Sequence, residues 1–471
     1  MGAIVTLVCH FFTLIFLARL LEEQALGVYF IALVVSFLLK MLSDLGVDLA
    51  FVKQYQEQTD SGKHRLFKSA VAIRLISCTV VSALYVLVER SGVVPFINDI
   101  SHLTALTLVL YWLHSFRELI LRLLQAEQIF SVYAGVQVLA ATIKATLIIC
   151  LTLLDIPSVE AVLMIESFAF AVSIVFAAVK IREPLTASLR ARFSGAMDML
   201  RFGYPLFLNA VLNLGNEKVS HYIVAGLGGP VTMAFFGIAE KLSEAGTRLF
   251  EAFANVYYPS QAENFANQDS DKAKSLAEVS MLWVTFVITS AIVGFTILRE
   301  PVMSLLFGET YLSAANAAAM FFAVLLFRSL QTLMGYFGVT AGHKFLPVKV
   351  SLVSSVFNIA LCLFLFKAYG YEGAIAALVL TQILMNFLYH FWLSKAGLVL
   401  SVMPTIKILI VCTVSVTLVY LLRGNLLLSL FVFPLFVVSC IFLVPSLRDG
   451  INVMISKGSE LLAARQNRAS T

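Results

Sequence analysis

The sequence predicts an all-α polytopic membrane protein, with about fourteen transmembrane helices in two like-oriented six-helix lobes followed by two extra C-terminal helices. Three observations carry that prediction. The chain is 60% hydrophobic and only 13% charged, with 38 Phe and a mean hydropathy of +0.92, a composition foreign to soluble globules. About fourteen apolar runs are long enough to cross roughly 30 Å of hydrocarbon at about 1.5 Å per residue. The second half also echoes the first. LARLLEEQALGVYFIA (17–32) aligns without gaps on VAGLGGPVTMAFFGIA (224–239), with Ala18/Ala225, Leu20/Leu227, Ile31/Ile238 and Ala32/Ala239 identical. QAEQIF (125–130) sets over TAGHKF (340–345) at nearly the same separation, with Ala126/Ala341 and Phe130/Phe345 identical. Because six spans separate related points, both halves run in the same direction through the bilayer. That is a parallel repeat, in which a substrate path lies between two lobes. The expected divisions are 1–198 for the N-terminal lobe, 199–400 for the C-terminal lobe and 401–471 for the extra helices and tail.

The expected spans are 2–20, 26–50, 68–88, 102–124, 131–153, 158–180, 202–228, 231–258, 278–298, 311–339, 346–366, 372–394, 405–422 and 426–446. The first has no basic lead-in and ends in LARLLEEQ, where a cleavable signal would have small residues, so it is expected to stay as a helix. The second carries Ser36, Lys40, Asp44 and Asp48 at i, i+4 spacing and hence on one helical face, either as a neutralised pair or as a cavity wall. In spans three to six, Arg74 and Arg117 stand near enough to one membrane face to snorkel, whereas Lys144 and Glu166 are nearer the middle. Whether those two meet is not legible in the sequence. Residues 181–201 form the longest basic connection and read as an amphipathic linker.

Spans seven and eight hold the densest polar pattern. At 100° per residue, Asn209, Asn213, Asn216 and Ser220 share one narrow arc with Glu217 at its edge, while Lys218 points the opposite way. Glu240, Lys241, Glu244, Arg248 and Glu251 fall within one arc of about 100°. A charge in hydrocarbon costs several kcal/mol unless it is paired or wetted, so both stripes are expected to face protein or a water-filled cavity, with Arg328 of span ten as a further wall residue. Intramembrane basic groups (Lys40, Arg74, Arg117, Lys144, Lys218, Lys241, Arg248, Arg328) are matched one for one by acidic ones (Asp44, Asp48, Glu118, Glu166, Glu217, Glu240, Glu244, Glu251). The count supports a polar lining and not a strongly cationic one.

Charge in the loops sets orientation. Connections after odd-numbered spans hold only Arg19, Arg90, Arg299, Lys367 and Arg423, while those after even-numbered spans, with the tail, hold most of the Lys and Arg. Positive-inside therefore places both termini in the cytoplasm and accounts for the net charge of +5 without a nucleic-acid partner. Catalysis finds no support: there is no Ser-His-Asp, Cys-His or His-Glu-x-x-His arrangement, and His10, His221 and His390 read as packed helix residues. The six cysteines lie within expected spans at no metal-ligand spacing, and no metal or cofactor is expected.

The stretch GHKFLPVKVSLVSSVFNIALCLFLFKAYGYEGAIAALVLTQIL, with Asn358 and Gly370-x-x-Gly373-Ala374, resembles the Wzx-type lipid-linked oligosaccharide flippases, the polysaccharide-export branch of the MOP exporter superfamily. ARLLEEQALGVY, SDLGVDLAFVK, FGYPLFLNAVL and YYPSQAE are similar to that family in the same order. The chain departs from it at Ser220, where the family often carries an Asp, with Glu217 one turn earlier. The resemblance implies a MOP-type transporter in the bacterial cytoplasmic (inner) membrane that flips an undecaprenyl-pyrophosphate-linked repeat unit, such as an O-antigen or exopolysaccharide unit, by alternating access. Its implied partners are the lipid-linked oligosaccharide, membrane lipid and other polysaccharide assembly proteins. On this reading Lys40, Lys241 and Arg248 offer charge to the pyrophosphate, and Asn209, Asn213 and Asn216 contact sugar. Asp44, Asp48 and Arg328 complete the cavity, and Glu217, Glu240 and Glu244 are candidates for coupling to a proton or sodium gradient or, equally, serve only to neutralise Lys241 and Arg248. The competing expectations are a MATE-like multidrug or cation exporter and, in a different class, a membrane-embedded glycan polymerase or ligase. The latter is disfavoured because connections of about twenty residues leave no room for an aqueous domain.

Overall fold

The computed structural model describes residues 2–56, 58–181, 195–422 and 425–452, and every element among them is helical. In chain order these are α1 (Gly2–Leu20), α2 (Glu23–Asp44), α3 (Val47–Gln56), α4 (Asp60–Ser91), α5 (Pro95–Asn98), α6 (Thr104–Ala126), α7 (Phe130–Leu153) and α8 (Val159–Lys180). There follow α9 (Ala196–Glu217), α10 (Val219–Ala266), α11 (Ser270–Phe307), α12 (Ala315–Thr340), α13 (Leu346–Lys395), α14 (Met403–Leu421) and α15 (Leu426–Leu443). Only helices satisfy their backbone polar groups within one segment, which is what an open chain in hydrocarbon requires.

Among the described residues, ten helices are long and apolar enough to cross a bilayer, where the sequence predicts about fourteen spans. Part of the difference is that α13 holds two expected spans and α10 joins the end of one to the next. The 50 residues of α13 break at Gly370 (φ 61, ψ −143), a conformation open to glycine and closed to most side chains. The carbonyl oxygen of Leu365 lies where a Cβ on Gly373 would sit, although a straight helix would separate these residues by about 12 Å. The helix therefore folds back on itself. In α10 the break falls at Gly229 (φ 70), immediately before Pro230, which has the fixed φ suited to opening the next helix.

The expected second span is not one helix. Leu45 (φ 51) and Gly46 (φ 75) are both left-handed, ending α2 and starting α3 in a new direction. The kink brings Gly46 so close to α9 that the Gly203 carbonyl fills the place of a Cβ. At their far ends, α10 and α11 run past the expected limits into what the sequence treats as loop. There Asp269 Oδ1 accepts from the Lys272 backbone N–H at 3.1 Å, and buried Gln261 donates from Nε2 to Ala273 O (3.0 Å) and Tyr257 Oη (2.9 Å). These bonds satisfy polar groups at the turn and let both helices continue.

The chain forms two compact units, each with its own core. The first comprises Met1–Lys241, Leu306–Ala314 and Ser355–Leu378. In it α1 packs on α7, and α6 on α2 and α8, and a buried cluster joins Phe51 of α3 and Phe67 of α4 to Leu119, Leu123, Ala177 and Met199. Two stretches that align with each other in the internal repeat also touch here. Phe30 and Gly237 occupy the same alignment position, and a Cβ on Gly237 would come within 2.7 Å of the Phe30 ring.

The second unit comprises Leu242–Leu305, Ala315–Ser354 and Val379–Thr471, and its core includes Met281, Leu326, Leu333, Phe337, Met385 and Phe436. The Phe286 ring stacks on Phe436 at 6.4 Å, tying α15 to α11. The opposite face of α15 presents Phe431, Val438 and Phe442, the last 80% exposed, which is a lipid-facing and not an aqueous pattern.

Candidate functional site

In the first unit, polar side chains gather into three clusters. The first is built on the α2–α3 kink. Arg74 of α4 is fully withdrawn from solvent and bonds through Nη2 to Asp44 Oδ1 (2.9 Å) and to Asp48, whose other oxygen lies 3.9 Å from Lys40 Nζ. Asp44 Oδ1 also accepts from the Asp48 backbone N–H at 3.1 Å, capping the start of α3. The sequence places these carboxylates on one continuous face. The structure instead breaks the helix between them and rejoins them through the arginine. Arg74 does not snorkel, because two carboxylates hold it inside. Two cations and two carboxylates leave the cluster neutral, which is how such groups are tolerated away from water.

The second cluster answers what the sequence leaves open: Lys144 of α7 and Glu166 of α8 meet at 2.5 Å. Tyr29 of α2 donates from Oη to Glu166 Oε2 (2.7 Å) and accepts from Lys144 Nζ (3.0 Å), closing a buried three-member ring of contacts. The third cluster forms where α9 gives way to α10. His221 Nε2 lies 2.8 Å from Glu240 Oε2, Lys218 Nζ lies 3.5 Å from Glu240 Oε1, and the His221 ring meets Phe236 edge-on at 5.0 Å. His221, expected only to pack, is a partner of a coupling candidate.

The charged stripe of α10 is divided between the units, with Glu240 and Lys241 in the first and Glu244, Arg248 and Glu251 in the second. Within the second unit Arg248 is 57% exposed, with Glu244 at 3.4 Å and Glu251 at 3.2 Å on the same helix. Arg328 of α12 lines a cavity of about 200 Å³ together with Thr247, Glu251, Asn255, Thr332 and Tyr336. Its walls mix the hydroxyls of Thr247, Ser329, Thr332 and Tyr336, the Asn255 amide and the charged Glu251 and Arg328 with apolar Phe250, Ala254 and Leu325, so hydrogen-bonding groups stand beside an apolar surface. Asn209, Asn213, Asn216 and Glu217 lie along α9, but their side chains fall outside the described residues.

The clusters thus hold Lys40, Asp44, Asp48 and Glu240 as expected candidates and add Arg74, Tyr29, Lys144, Glu166, Lys218 and His221. The sequence places Lys144 and Glu166 near the middle of adjacent spans, but their meeting depends on how α7 packs on α8, which no local pattern records. Nor does any signal mark Tyr29, whose hydroxyl is one among many in the chain.

This is a multi-pass membrane protein whose polar groups are organised inside a helical bundle, the arrangement of a transporter. The chain belongs to the family described as polysaccharide biosynthesis protein, whose profile matches residues 16–316. It is 21% identical over 395 residues to the probable low-salt glycan biosynthesis flippase Agl15 of Haloferax volcanii, covering 82% of this chain and 80% of that protein. Among solved structures it is similar to the lipid II flippase MurJ in an inward closed conformation, with a TM-score of 0.75 and 14% identity over 95% of this chain and 98% of the other. It is also similar to an inward-facing multidrug resistance MATE family transporter of the MOP superfamily, with a TM-score of 0.65 and 14% identity over 84% and 99% of the two chains. At such identities the likeness is one of fold, shared with both of these transporters.

Proposed function

We propose that this protein is a lipid-linked glycan flippase of the Wzx type, moving an undecaprenyl-pyrophosphate-linked repeat unit from the cytoplasmic to the outer leaflet of the bacterial inner membrane by alternating access. The observation that carries the reading is membership of a polysaccharide biosynthesis family combined with the MOP fold, since a glycan pathway that needs a transporter needs it for this step. Relatives named as flippases support it from sequence and from fold. The reading assigns no covalent chemistry to the protein.

The physics of the cargo fits the polar interior. A sugar pyrophosphate loses the hydration of its charges and hydroxyls in hydrocarbon, so it crosses only along a wet path while its lipid tail stays in the bilayer. Lys40, Lys241 and Arg248 serve the pyrophosphate, and Asn209, Asn213 and Asn216 serve the sugar, with the Thr247 to Tyr336 cavity as a further hydroxyl-binding surface. Glu217, Glu240 and Glu244 couple the cycle to a proton or sodium gradient, and both termini are cytoplasmic. Other polysaccharide assembly proteins receive the flipped unit.

The test is reconstitution. Protein in liposomes loaded with a fluorescent lipid-linked oligosaccharide should expose the inner-leaflet fraction to an impermeant lectin or glycosidase within minutes, and protein-free liposomes should not. If the inner-leaflet pool stays protected with folded protein present, under either ion gradient, the flippase reading fails. Extrusion of cationic dyes by the same vesicles would instead favour a multidrug exporter.

A further inference from the structure

At the turn between α12 and α13, chain geometry collects positive charge beside exposed aromatic rings. Gly342 (φ 96) ends α12, and the backbone bonds His343 N–H to Gly338 O (2.9 Å) and Leu346 N–H to His343 O (3.0 Å) tighten the turn that carries His343 and Lys344. Because α13 folds back at Gly370, its last turn returns to the same end, so Lys395 and Trp392 meet Lys349 of its first turn. Lys349 Nζ lies 5.2 Å and Lys395 Nζ 5.7 Å from the centre of the Trp392 ring, and Lys395 also sits 4.5 Å over Phe391. Together with Lys344, His343 and Phe345 they line a cavity of about 410 Å³ whose lining contains no carboxylate.

That electrostatic pattern differs from that of the cations in the polar clusters described above. Arg74, Lys144, Lys218 and Arg248 each have a carboxylate within hydrogen-bond or ion-pair reach. Here two ammonium groups share one indole, which attracts each of them but leaves their mutual repulsion uncompensated. An anion seated between them relieves it. The surroundings identify its source: Phe345 is 75% exposed, Phe391 and Trp392 are also exposed, and indole beside lysine is the pairing found where hydrocarbon meets water. A free anion would use the lysines and leave these rings idle. A phospholipid uses both, phosphate on the ammoniums and acyl chain along Phe345 and Phe391.

We infer that Lys344, Lys349, Lys395 and Trp392 form a binding site for the phosphate headgroup of an anionic phospholipid resident in the leaflet at this end of α13. By the positive-inside distribution that leaflet is the cytoplasmic one. The site goes beyond the cargo reading and does not depend on it, because a structural lipid is bound whatever the protein transports.

Trp392 provides the readout, being one of only three tryptophans. With Trp112→Phe and Trp283→Phe it becomes the sole emitter, and the protein is placed in phosphatidylcholine bilayers with rising amounts of brominated phosphatidylglycerol or brominated phosphatidylcholine. Brominated phosphatidylglycerol should half-quench Trp392 at a mole fraction about three- to tenfold lower than the neutral lipid, the scale expected of lysines at an anionic headgroup. The variant K344Q/K349Q/K395Q should bring the two curves together while leaving quenching by phosphatidylcholine unchanged, which also certifies that it is folded. Equal quenching in the parent, or a preference that survives the triple variant, overturns the site. Inorganic pyrophosphate is the third arm: relief of the preference at equimolar pyrophosphate would reassign the lysines to a soluble anion and overturn the lipid. Should the single-tryptophan background not fold, native mass spectrometry of otherwise unaltered protein gives the same decision. Phosphatidylglycerol should stay bound to the parent and be lost from the triple lysine variant, and equal retention overturns the proposal.

Discussion

Arg74 and Arg248 each stand between two carboxylates, yet the two arginines live under opposite physical regimes. Arg74 draws its carboxylates from the α2–α3 kink on another part of the chain, and its side chain is 0% exposed. Arg248 draws Glu244 and Glu251 from its own helix, one turn to either side, and is 57% exposed. The first pairing is tertiary and dry, so removing one partner strands charge where water cannot reach it. The second is local and accessible, with both carboxylates on the same helix, so losing it strands no charge in a closed core and the pairing contributes little. Burial, not the number of carboxylates, separates an ion pair that maintains the fold from one that remains available to a ligand.

The largest effect is expected from Arg74→Met. It leaves Asp44 and Asp48 facing each other with only Lys40 nearby, and breaking a buried pair in this way costs about 3–5 kcal/mol. Thermal unfolding in detergent should show a steep fall in Tm or a loss of monodisperse protein. Adding Asp48→Asn, which restores charge balance with Lys40 and Asp44, should recover most of the loss. A single variant as stable as the parent would erase the contrast with Arg248.

Lys144→Met should follow, at about 2–3 kcal/mol, because Tyr29 still donates to Glu166 when the ammonium is gone. The double variant K144M/E166Q should be more stable than K144M alone. The same thermal melt reads this out, and additive losses in the double variant would mean that the 2.5 Å pair is not energetically coupled.

What the sequence reveals of this fold follows from which interactions are local. The breaks at Gly229-Pro230 and Gly370 fall where the apolar runs are punctuated by residues with special backbone preferences. The repeat is legible as a faint alignment, and the contact between Phe30 and Gly237, aligned partners, gives it a physical meaning. The break at Leu45–Gly46 is not legible, because one glycine within an apolar run is usually carried inside a helix; here the close approach of Gly203 requires it to bend. For the same reason the Asp44 and Asp48 face was expected in the right place but on the wrong geometry. The height of Arg74 along its span, near enough to one face to snorkel or to serve structure, is local information; its two carboxylate partners, which decide for the structural role, are set by packing and not by local pattern. His221 was read as packing alone, because its pairing with Glu240 depends on how α10 turns back at Gly229.

Arg248→Ala is expected to have the smallest effect on stability and the largest on transport, and that divergence sharpens the contrast most. Its guanidinium is exposed, so the loss of two same-helix contacts should change unfolding by no more than about 0.5 kcal/mol, and Tm should stay within a degree or two of the parent. If Arg248 offers its charge to the pyrophosphate, flipping of lipid-linked oligosaccharide should nevertheless be abolished, because the guanidinium that would hold the phosphate oxygens is gone. Arg248→Lys keeps the charge but not the planar fork that matches phosphate oxygens, so it should restore only part of the rate. Full export by Arg248→Ala would remove the residue from the cargo path. Partial rescue by Lys at unchanged stability would separate a cargo contact from a neutralising one, since an arginine that only balanced Glu244 and Glu251 would be replaced by lysine without loss.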